Sequence, residues 1–140
     1  MAAIREFVKD LPLFCLGKNR TVAEAVGTMS ANDVGAILIV EQDRLVGIFS
    51  ERDLIRRVLA KGLKPEFTKL EQVMSKQVLC TTPDEDEAVC LAKMERQKCR
   101  HIPVVEGDRP LGVVSIRDLL RRIVRTQEES LKFLEHFITT

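Results

Sequence analysis

The sequence contains no tryptophan or tyrosine, and no apolar run approaches the ~18–20 residues that a membrane-spanning helix needs. A binding surface on this chain therefore lacks two of the side chains that most often dominate protein interfaces. The net charge is +1, so no overall field draws the chain to nucleic acid or to an anionic membrane. Residues 1–9 mix Arg5, Glu6 and Lys9 with apolar residues, which is unlike a secretory signal. We expect a cytoplasmic protein without membrane contact.

The four cysteines are Cys15, Cys80, Cys90 and Cys99, and they form no C-x-x-C pair. Each of them lies in or beside an apolar segment of the sequence. Buried, reduced thiols are therefore expected rather than disulfides.

The segment Cys99-Arg100-His101 raises the question of a metal or catalytic site. Zinc needs four ligands, or three and a water, and Cys99, His101 and the distant His136 are too few. A catalytic cysteine–histidine pair is disfavoured as well, because alternate residues of a strand point to opposite faces. No set of nucleophile, base and orienting group is evident. We therefore expect no metal, no catalytic cofactor and no enzymatic activity.

One segment of the chain is used twice, at an offset of 65 residues. Residues 40–58 match residues 105–123, with eleven of the nineteen positions identical. The offset holds upstream without a gap, since Cys15 falls on Cys80 and Met29 on Met94. The first copy covers about residues 12–61 and the second about residues 77–126. The rest of the composition, 45% apolar and 31% charged, is ordinary for a soluble globular protein.

Apolar spacing predicts the same elements in each copy: a strand, an amphipathic helix, a hairpin and a second helix. The predicted strands are 13–16, 36–40 and 45–49 in the first copy, and 78–80, 102–105 and 111–114 in the second. The predicted helix faces comprise Val22, Ala25, Val26 and Met29, then Ala88, Leu91 and Met94, and finally Leu54, Ile55, Val58 and Leu59. Each copy is too small to bury a comfortable core alone, so the two are expected to pack together.

Four regions are predicted. Residues 1–62 form a first unit with an N-terminal helix, and residues 63–76 form a linker. Residues 77–126 form the second unit, and residues 127–140 form a C-terminal helix. The apolar residues Leu131, Leu134, Phe137 and Ile138 of that helix are expected to face a partner.

The end of each hairpin resembles the motif of the CBS-domain family, named after cystathionine β-synthase. That motif is a strand, a glycine, two apolar residues, Ser or Thr, two variable residues and Asp. It stands here as residues 47–53, GIFSERD, and as residues 112–118, GVVSIRD. Residues 100–105, RHIPVV, resemble the second strand of the family unit, and residues 73–76, VMSK, resemble the usual start of a second unit. The resemblance covers nearly the whole chain.

The resemblance implies an α/β (α+β) fold in which two βαββα units pack as a pseudo-two-fold pair. The chain is also similar to stand-alone bacterial pairs and their plant organellar counterparts. Members of that group bind AMP, ATP, S-adenosylmethionine or NAD-type dinucleotides, and they dimerise. The resemblance therefore implies a regulatory module that binds an adenine nucleotide in the cleft between its units, with AMP as the first choice and ATP, NAD(H) or S-adenosylmethionine as alternatives. A homodimer is expected, and a regulated enzyme is a further expected partner.

The Ser-x-x-Asp segments supply the chemistry for a nucleotide. A carboxylate can accept from both hydroxyls of a ribose, and Asp53 and Asp118 each fall in the first turn of a helix that follows a strand. The helix N-terminus favours phosphate, to which Ser50 and Ser115 could donate. Ser-x-x-Asp is equally a helix cap, with Ser at the N-cap and the acid stabilising the first turn. We predict both roles together for at least one copy.

The two copies differ where the second strand begins. The second copy has Arg100 and His101, which could hold a phosphate or simply be solvated, whereas the first copy has Gly35 and Ala36. These small residues would let adenine lie beside Ile37. The predicted contacts are Cys15, Lys18, Gly35, Ala36, Ile37, Ser50, Arg52, Asp53, Cys80, Thr81, Thr82, Arg100, His101, Ile102, Pro103, Ser115, Arg117 and Asp118.

Two of these predictions have a particular alternative. Thr82 could merely start the turn before Pro83. Relatives often have Gly at the position of Arg117, whose long side chain would narrow the second site or add a phosphate contact.

A competing function rests on the arginines of the two repeated helices, which could contact nucleic acid phosphates. They are Arg52, Arg56, Arg57, Arg117, Arg121, Arg122 and Arg125. A solvated face, balanced by nearby acids, is the simpler interpretation, and we expect no nucleic acid partner.

Overall fold

The computed structural model describes residues 2–139, and the side chains at positions 133 and 137–139 lie outside the described set. Strands and helices alternate along the chain in two similar halves. In chain order they are 3₁₀ turns at Ile4–Glu6 and Val8–Asp10, strand β1 (Cys15–Gly17), helix α1 (Val22–Asn32), strands β2 (Ala36–Glu41) and β3 (Arg44–Ser50), helix α2 (Glu51–Asp53) continued as a π-helix over Leu54–Leu59, a 3₁₀ turn at Pro65–Phe67, helices α3 (Leu70–Val73) and α4 (Glu87–Gln97), strands β4 (His101–Glu106) and β5 (Arg109–Ser115), and helix α5 (Ile116–Thr139).

The strands confirm the α+β class and the internal repeat. β1 pairs parallel with β2, and β2 pairs antiparallel with β3. β4 and β5 form the equivalent antiparallel hairpin. Each hairpin has a register shift at the same repeat position, between Ile39 and Val40 and between Val104 and Val105. A shared bulge of this kind is the mark of one backbone design used twice.

The predicted strand at residues 78–80 is absent from the described secondary structure. That segment keeps only a single parallel bridge, between Thr81 and Val104. Two backbone hydrogen bonds form it: the N–H of Thr81 donates to Pro103 O, and the N–H of Val105 donates to Thr81 O, both at 2.9 Å. The register equals that of β1, where Leu16 lies opposite Ile39. The equivalent chain path is therefore kept, but too few bonds form for a strand.

Each copy builds its own core. Val22, Ala25 and Met29 of α1 are buried, as the period of 3.6 predicts. In α4 the buried residues are Glu87, Cys90 and Met94, and Ala88 and Leu91 are only partly buried. The predicted apolar face of the helix after Ser50 is only partly covered. Val58 is fully buried and Leu54 packs against the core, but Ile55 and Leu59 are 60% and 54% exposed.

The segment before each copy packs against the other copy. We call residues 2–12 the first crossing segment and residues 69–76 the second. Ile4 and Phe7 of the first join the core of the second copy. Leu70, Val73 and Met74 of the second join the core of the first copy. Each crossing segment thus completes the core of the opposite copy, and the two copies are held together by these contacts. The predicted grouping of residues 1–62 places the first crossing segment with the first copy, whereas its buried side chains contact the second.

The crossing segments explain the glycine of each motif. The N–H of Ile48 donates to Ser75 O at 3.0 Å, and the N–H of Val113 donates to Pro12 O at 3.0 Å. These bonds bring the backbone of a crossing segment against Gly47 and against Gly112, the residues that precede Ile48 and Val113. A Cβ at Gly47 would lie 2.5 Å from Met74 Sδ, and one at Gly112 would lie 2.7 Å from Leu11 Cβ. Only glycine leaves room for this approach.

Helix α5 continues well past the second copy. Its first turns bury Leu119 and Ile123, whereas Leu120, Val124, Leu131 and Leu134 are 43–60% exposed. The predicted partner-facing side chains of Phe137 and Ile138 lie outside the described residues. Over the described part of the chain, no helix is long and apolar enough to span a membrane.

Candidate functional site

A cavity of about 680 Å³ opens between the two copies, a size typical of small-molecule sites. Both repeated motifs contribute to its wall, together with the ends of α1 and α4 and parts of the crossing segments. The lining residues are Pro12, Phe14, Asp33, Val34, Gly35, Ala36, Ile48, Ser50, Glu51, Arg52, Asp53, Ser75, Lys98, Cys99, Arg100, His101, Val113, Ser115, Ile116, Arg117, Asp118 and Arg121. We call this cavity the cleft. Most of its residues occur as pairs related by the repeat.

The cleft collects ten of the predicted contact residues. They are Gly35, Ala36, Ser50, Arg52, Asp53, Arg100, His101, Ser115, Arg117 and Asp118. The structure thus brings the two Ser-x-x-Asp motifs and the divergent strand starts to one place. The backbone explains this convergence, because the N–H of Glu51 donates to Gly35 O at 3.0 Å and the N–H of Ile116 donates to Arg100 O at 2.8 Å. Each helix start is bonded to the strand start of its own copy.

The other predicted contacts do not line the cleft. They are Cys15, Lys18, Ile37, Cys80, Thr81, Thr82, Ile102 and Pro103. Ile37 and Ile102 are fully buried in the two cores, so their side chains do not face the cleft. The Lys18 ammonium pairs with Glu41 at 2.9 Å, and the hydroxyl of Thr81 donates to Glu85 at 2.8 Å. Both polar groups are therefore engaged outside the cleft.

The two motif aspartates are in different states. The N–H and hydroxyl of Ser50 donate to Asp53 Oδ2 at 3.0 and 3.2 Å, and the N–H of Asp53 donates back to Ser50 Oγ at 3.3 Å. The guanidinium of Arg57 lies 3.5 Å from Asp53 Oδ1. Both carboxylate oxygens of Asp53 therefore have partners within the first copy, as the capping interpretation predicts.

Asp118 keeps only half of this cap. Its N–H donates to Ser115 Oγ at 3.1 Å, and its carboxylate meets Arg121 at 4.0 Å. The side chain of Asp118 is 58% exposed, whereas that of Asp53 is 12% exposed. Asp118 is therefore the carboxylate that can accept from a ligand without breaking a cap.

His101 crosses the cleft from the second copy to the first. A Cβ at Gly35 would lie 3.1 Å from His101 Nε2 and 3.2 Å from Glu51 Oε1. The pKa of His101 lies below its usual value because burial disfavours the imidazolium. Glu51 and Asp118 act in the opposite direction, and Arg100 adds to the lowering. A further anion close to the ring would act as Glu51 and Asp118 do and favour the charged form.

The four cysteines are free thiols, of which Cys90 is buried and Cys15, Cys80 and Cys99 are partly buried. Burial raises the pKa of all four, and it raises that of Cys90 to about 11. The thiolate is the reactive form, so none of them has the lowered pKa of an activated nucleophile. Within the described residues, no group of three or more His, Cys, Asp or Glu is placed to hold a metal ion. The polar groups that line the cleft are therefore those of its serine, acidic, basic and histidine side chains.

The comparison with protein families decides what kind of cleft this is. The model of the CBS domain matches residues 8–60 and again residues 70–125. The chain belongs to the CBS-domain family. Its two copies form a tandem CBS pair, and the cleft is the space between the two CBS domains.

Known CBS proteins resemble the chain in sequence and in fold. The mitochondrial CBS domain-containing protein CBSX3 of Arabidopsis thaliana is 33% identical over 84% of this chain, which spans 60% of that protein. A CBS-domain protein of Burkholderia ambifaria has the same fold, with a TM-score of 0.83 at 29% identity, covering 90% of this chain and 96% of that one. The CBS-domain containing protein ATU1752 of Agrobacterium tumefaciens gives 0.78 at 26%, with coverages of 86% and 98%.

Sequence reasoning missed several residues of the cleft. Asp33 and Lys98 line it from the C-terminal ends of α1 and α4, where both adopt left-handed backbone. They are equivalent at the repeat offset of 65, so a search for charge reversals between the copies would have found them. Glu51 and Arg121 lie beside predicted residues and follow from the helical spacing. Pro12 and Ser75 come from the crossing segments; residues 73–76 resemble the start of a second unit, but nothing in the local sequence indicates that Pro12 or Ser75 lines the cleft.

Proposed function

We propose that this CBS pair is a regulatory module that binds an adenine nucleotide, with AMP as the first candidate, in the cleft. The observation that carries the proposal is the uncommitted carboxylate of Asp118, in the same cavity as Lys98, Arg100, Arg117 and Arg121. A carboxylate that accepts from two vicinal hydroxyls suits a ribose. Guanidinium and ammonium groups suit the phosphate on the same nucleoside.

The start of α5 adds a further feature that favours a phosphate. The N-terminus of this long helix carries a partial positive charge. Ser115 caps the helix there, since its Oγ accepts from the N–H of Asp118. His101 offers another donor when a neighbouring anion favours its charged form. Ribose and phosphate groups can thus be recognised along one side of the cleft.

Other ligands with an adenosine group remain alternatives to AMP, namely ATP, NAD(H) and S-adenosylmethionine. The CBS domain pair of protein MJ0100, whose fold matches with a TM-score of 0.81 at 23% identity, was solved in complex with 5′-methylthioadenosine and S-adenosyl-L-methionine. A screen should therefore include these two compounds. They carry no phosphate, so they also test the role of the cationic residues.

Regulation would follow from the helix that carries the site. Arg117, Asp118 and Arg121 lie on α5, which continues to the exposed Leu131 and Leu134. A ligand that moves the start of this helix also moves its far end, and that exposed apolar face suits a second copy of the chain. We propose a homodimer whose arrangement depends on ligand, and a regulated enzyme as a further partner. We also propose a cytoplasmic location, although the relative CBSX3 is mitochondrial by name.

The competing nucleic-acid function has less support. Arg52, Arg117 and Arg121 line the cleft. Arg57 pairs with Asp53, and Arg122 lies 3.6 Å from the buried Glu87. Three of the seven arginines therefore line the cleft and two more have acidic partners, although the side chains of Arg57 and Arg121 are 48% and 68% exposed.

A binding screen tests the proposal directly. The full chain is heated with AMP, ADP, ATP, NAD, NADH, S-adenosylmethionine and 5′-methylthioadenosine, and with adenine-free phosphate as the control. A ligand at ~100 times its Kd stabilises a fold by roughly 2.7 kcal/mol, which means a melting shift of several degrees for a chain of this size. No shift with any adenosine compound would reject the proposal. Tight binding of DNA at physiological salt would favour the competing function.

A further inference from the structure

The two halves of the cleft carry opposite charge although they are copies of one unit. The first CBS domain contributes three carboxylates and one arginine: Asp33, Glu51, Asp53 and Arg52. The second contributes four cations and one carboxylate: Lys98, Arg100, Arg117, Arg121 and Asp118. His101 also lies on the second side, with a pKa that burial lowers. The cleft is therefore acidic on one wall and basic on the other.

The reversal arises at positions that the repeat makes equivalent. Asp33 corresponds to Lys98, Gly35 to Arg100 and Glu51 to Ile116. Asp33 and Lys98 even share their backbone, with φ of 51° and 54° at the ends of α1 and α4. A helix C-terminus favours a cation and disfavours an anion. The helix dipole therefore favours Lys98 but not Asp33, whose residue type is instead one that left-handed backbone tolerates well.

Two further features close the first half of the cleft to an anion. The carboxylate of Asp53 is bonded to Ser50 and paired with Arg57, so a ribose there would have to displace a cap. The ring of His101 and the carboxylate of Glu51 lie against Gly35. They fill the space beside the start of β2, and the carboxylate of Glu51 adds negative charge there.

We infer that the cleft holds one phosphate-bearing ligand per chain, in a single orientation with its phosphate on the wall of the second CBS domain, and that the acidic wall excludes a second. The inference rests on the proposed function, since it concerns the same cleft. Two identical half-sites would take two ligands, and the divergence of charge removes that symmetry.

Calorimetric titration of the full chain with AMP tests this, with adenosine as the phosphate-free probe. Wild-type chain should bind one AMP per chain. Lys98→Asp should weaken AMP at least about tenfold, since a hydrogen bond to a charged group contributes ~1.5–3 kcal/mol, and should change adenosine binding less than twofold. Asp33→Lys should strengthen AMP or add a second equivalent. Both substitutions suit the left-handed backbone, because each residue already occupies it in the other copy. Lys61→Asp, an exposed residue outside the cleft, is the control with the same change of charge.

The outcomes separate this inference from the proposed function. If the wild-type chain binds two AMP molecules of equal affinity, or if Asp33→Lys weakens AMP as Lys98→Asp does, the inference is wrong while the nucleotide function stands. If neither AMP nor adenosine binds the wild-type chain, the titrations are made with the adenosine compound that shifts the melting temperature in the screen, and both the inference and the proposed function are rejected if none does. Thermal melting of each variant without ligand confirms that the compared chains are folded.

Discussion

His101 of the second CBS domain lies against Gly35 of the first, so that a Cβ at Gly35 would be 3.1 Å from the imidazole Nε2. This contact joins the two domains across the cleft at the point where the repeat diverges. In the first copy the position of His101 is Ala36. The histidine thus has no counterpart, and the space it uses exists because Gly35 has no side chain.

The half-buried position of His101 predicts acid sensitivity. Burial is the main cause of its lowered pKa, so the unfolded chain takes up this proton near pH 6.5 and the folded chain does so only at lower pH. The free energy of unfolding should therefore fall as the pH drops from about 6.5 through the pKa of the folded state. Well above pH 6.5 this group should not affect stability. NMR titration should place the pKa of His101 below 6.5, and His101→Gln should lose less stability between pH 7.5 and 5.5. A pKa above 6.5 would contradict this.

Gly47 and Gly112 should resist substitution because crossing segments lie against them. An alanine at Gly47 must displace Met74 and the carbonyl of Ser75, and one at Gly112 must displace Leu11 at its Cβ. Overpacking of this kind costs about 1–3 kcal/mol. Gly17→Ala is the control, since its nearest neighbour would be Arg20 Cγ at 4.0 Å. Urea unfolding should rank both motif variants below the control, and equal stabilities would show that the crossing segments yield easily.

The elements that sequence predicts well are those whose signal is local. The helix face of Val22, Ala25 and Met29 and the two hairpins follow from apolar periods that hold within a few residues. The repeat then transfers each prediction to the second copy. It fails at residues 78–80, because strand formation there depends on hydrogen bonds to β4 rather than on local composition.

The site was predictable only in part for a related reason. The Ser-x-x-Asp motifs and the strand starts were identified because they recur at a fixed offset and carry recognisable chemistry. The packing of the crossing segments was not predicted, because Phe7 and Leu70 are buried by contacts with the core of the opposite copy. Ile55 and Leu59 satisfy a helical period and are nevertheless exposed, because a period shows which residues share a face and not what covers it.

Glu87 is the charged residue that the fold buries most completely, at 1% exposure. Its Oε1 accepts from the N–H of Ala2 at 3.3 Å, and Arg122 Nε lies 3.6 Å from its Oε2. Arg122 also lies 3.9 Å above the ring of Phe7. Carboxylate and guanidinium together thus hold the first crossing segment.

Breaking this pair should be far more costly than replacing it. Arg122→Ala leaves a buried carboxylate without its cation. Breaking a fully buried pair costs ~3–5 kcal/mol, and the cost should be smaller here because Arg122 is 40% exposed and its Nε lies 3.6 Å from Glu87 Oε2. Glu87→Val restores the residue of the equivalent position, Val22, so the double variant Glu87→Val with Arg122→Met should recover most of the loss. Chemical denaturation of the single and double variants measures the coupling. Strictly additive losses would show that the pair contributes little.

The exposed apolar face of α5 predicts self-association. Leu131 and Leu134 are 60% and 52% exposed and lie beyond the core of the second domain. Replacing both with lysine should convert the expected dimer to a folded monomer, because both side chains lie outside the core of the chain. Glu129→Lys, about 200° around the helix from Leu131, is the matched control. Sedimentation equilibrium at tens of micromolar should show wild type and control as dimers, and a monomeric wild type at about that concentration would reject the prediction.

The last prediction separates ligand binding from helix capping at the two aspartates. Asp53→Ala removes a carboxylate that accepts twice from Ser50 and pairs with Arg57, so it should destabilise the chain by about 0.5–2 kcal/mol. It should nevertheless leave most of the AMP affinity. Asp118→Ala removes an exposed carboxylate with one distant partner, so stability should change little, but AMP affinity should fall roughly tenfold or more.

Calorimetric affinities, measured well below the melting temperature of each variant, keep the two effects apart. Asp118→Asn is the companion variant, since an amide can still accept one hydrogen bond and should retain part of the affinity. If Asp53→Ala loses AMP and Asp118→Ala keeps it, the ribose lies on the first domain and the assignment is reversed. If both variants bind AMP as the wild type does, Ser-x-x-Asp acts only as a helix cap, and recognition must come from the cationic wall of Lys98 and Arg100 alone.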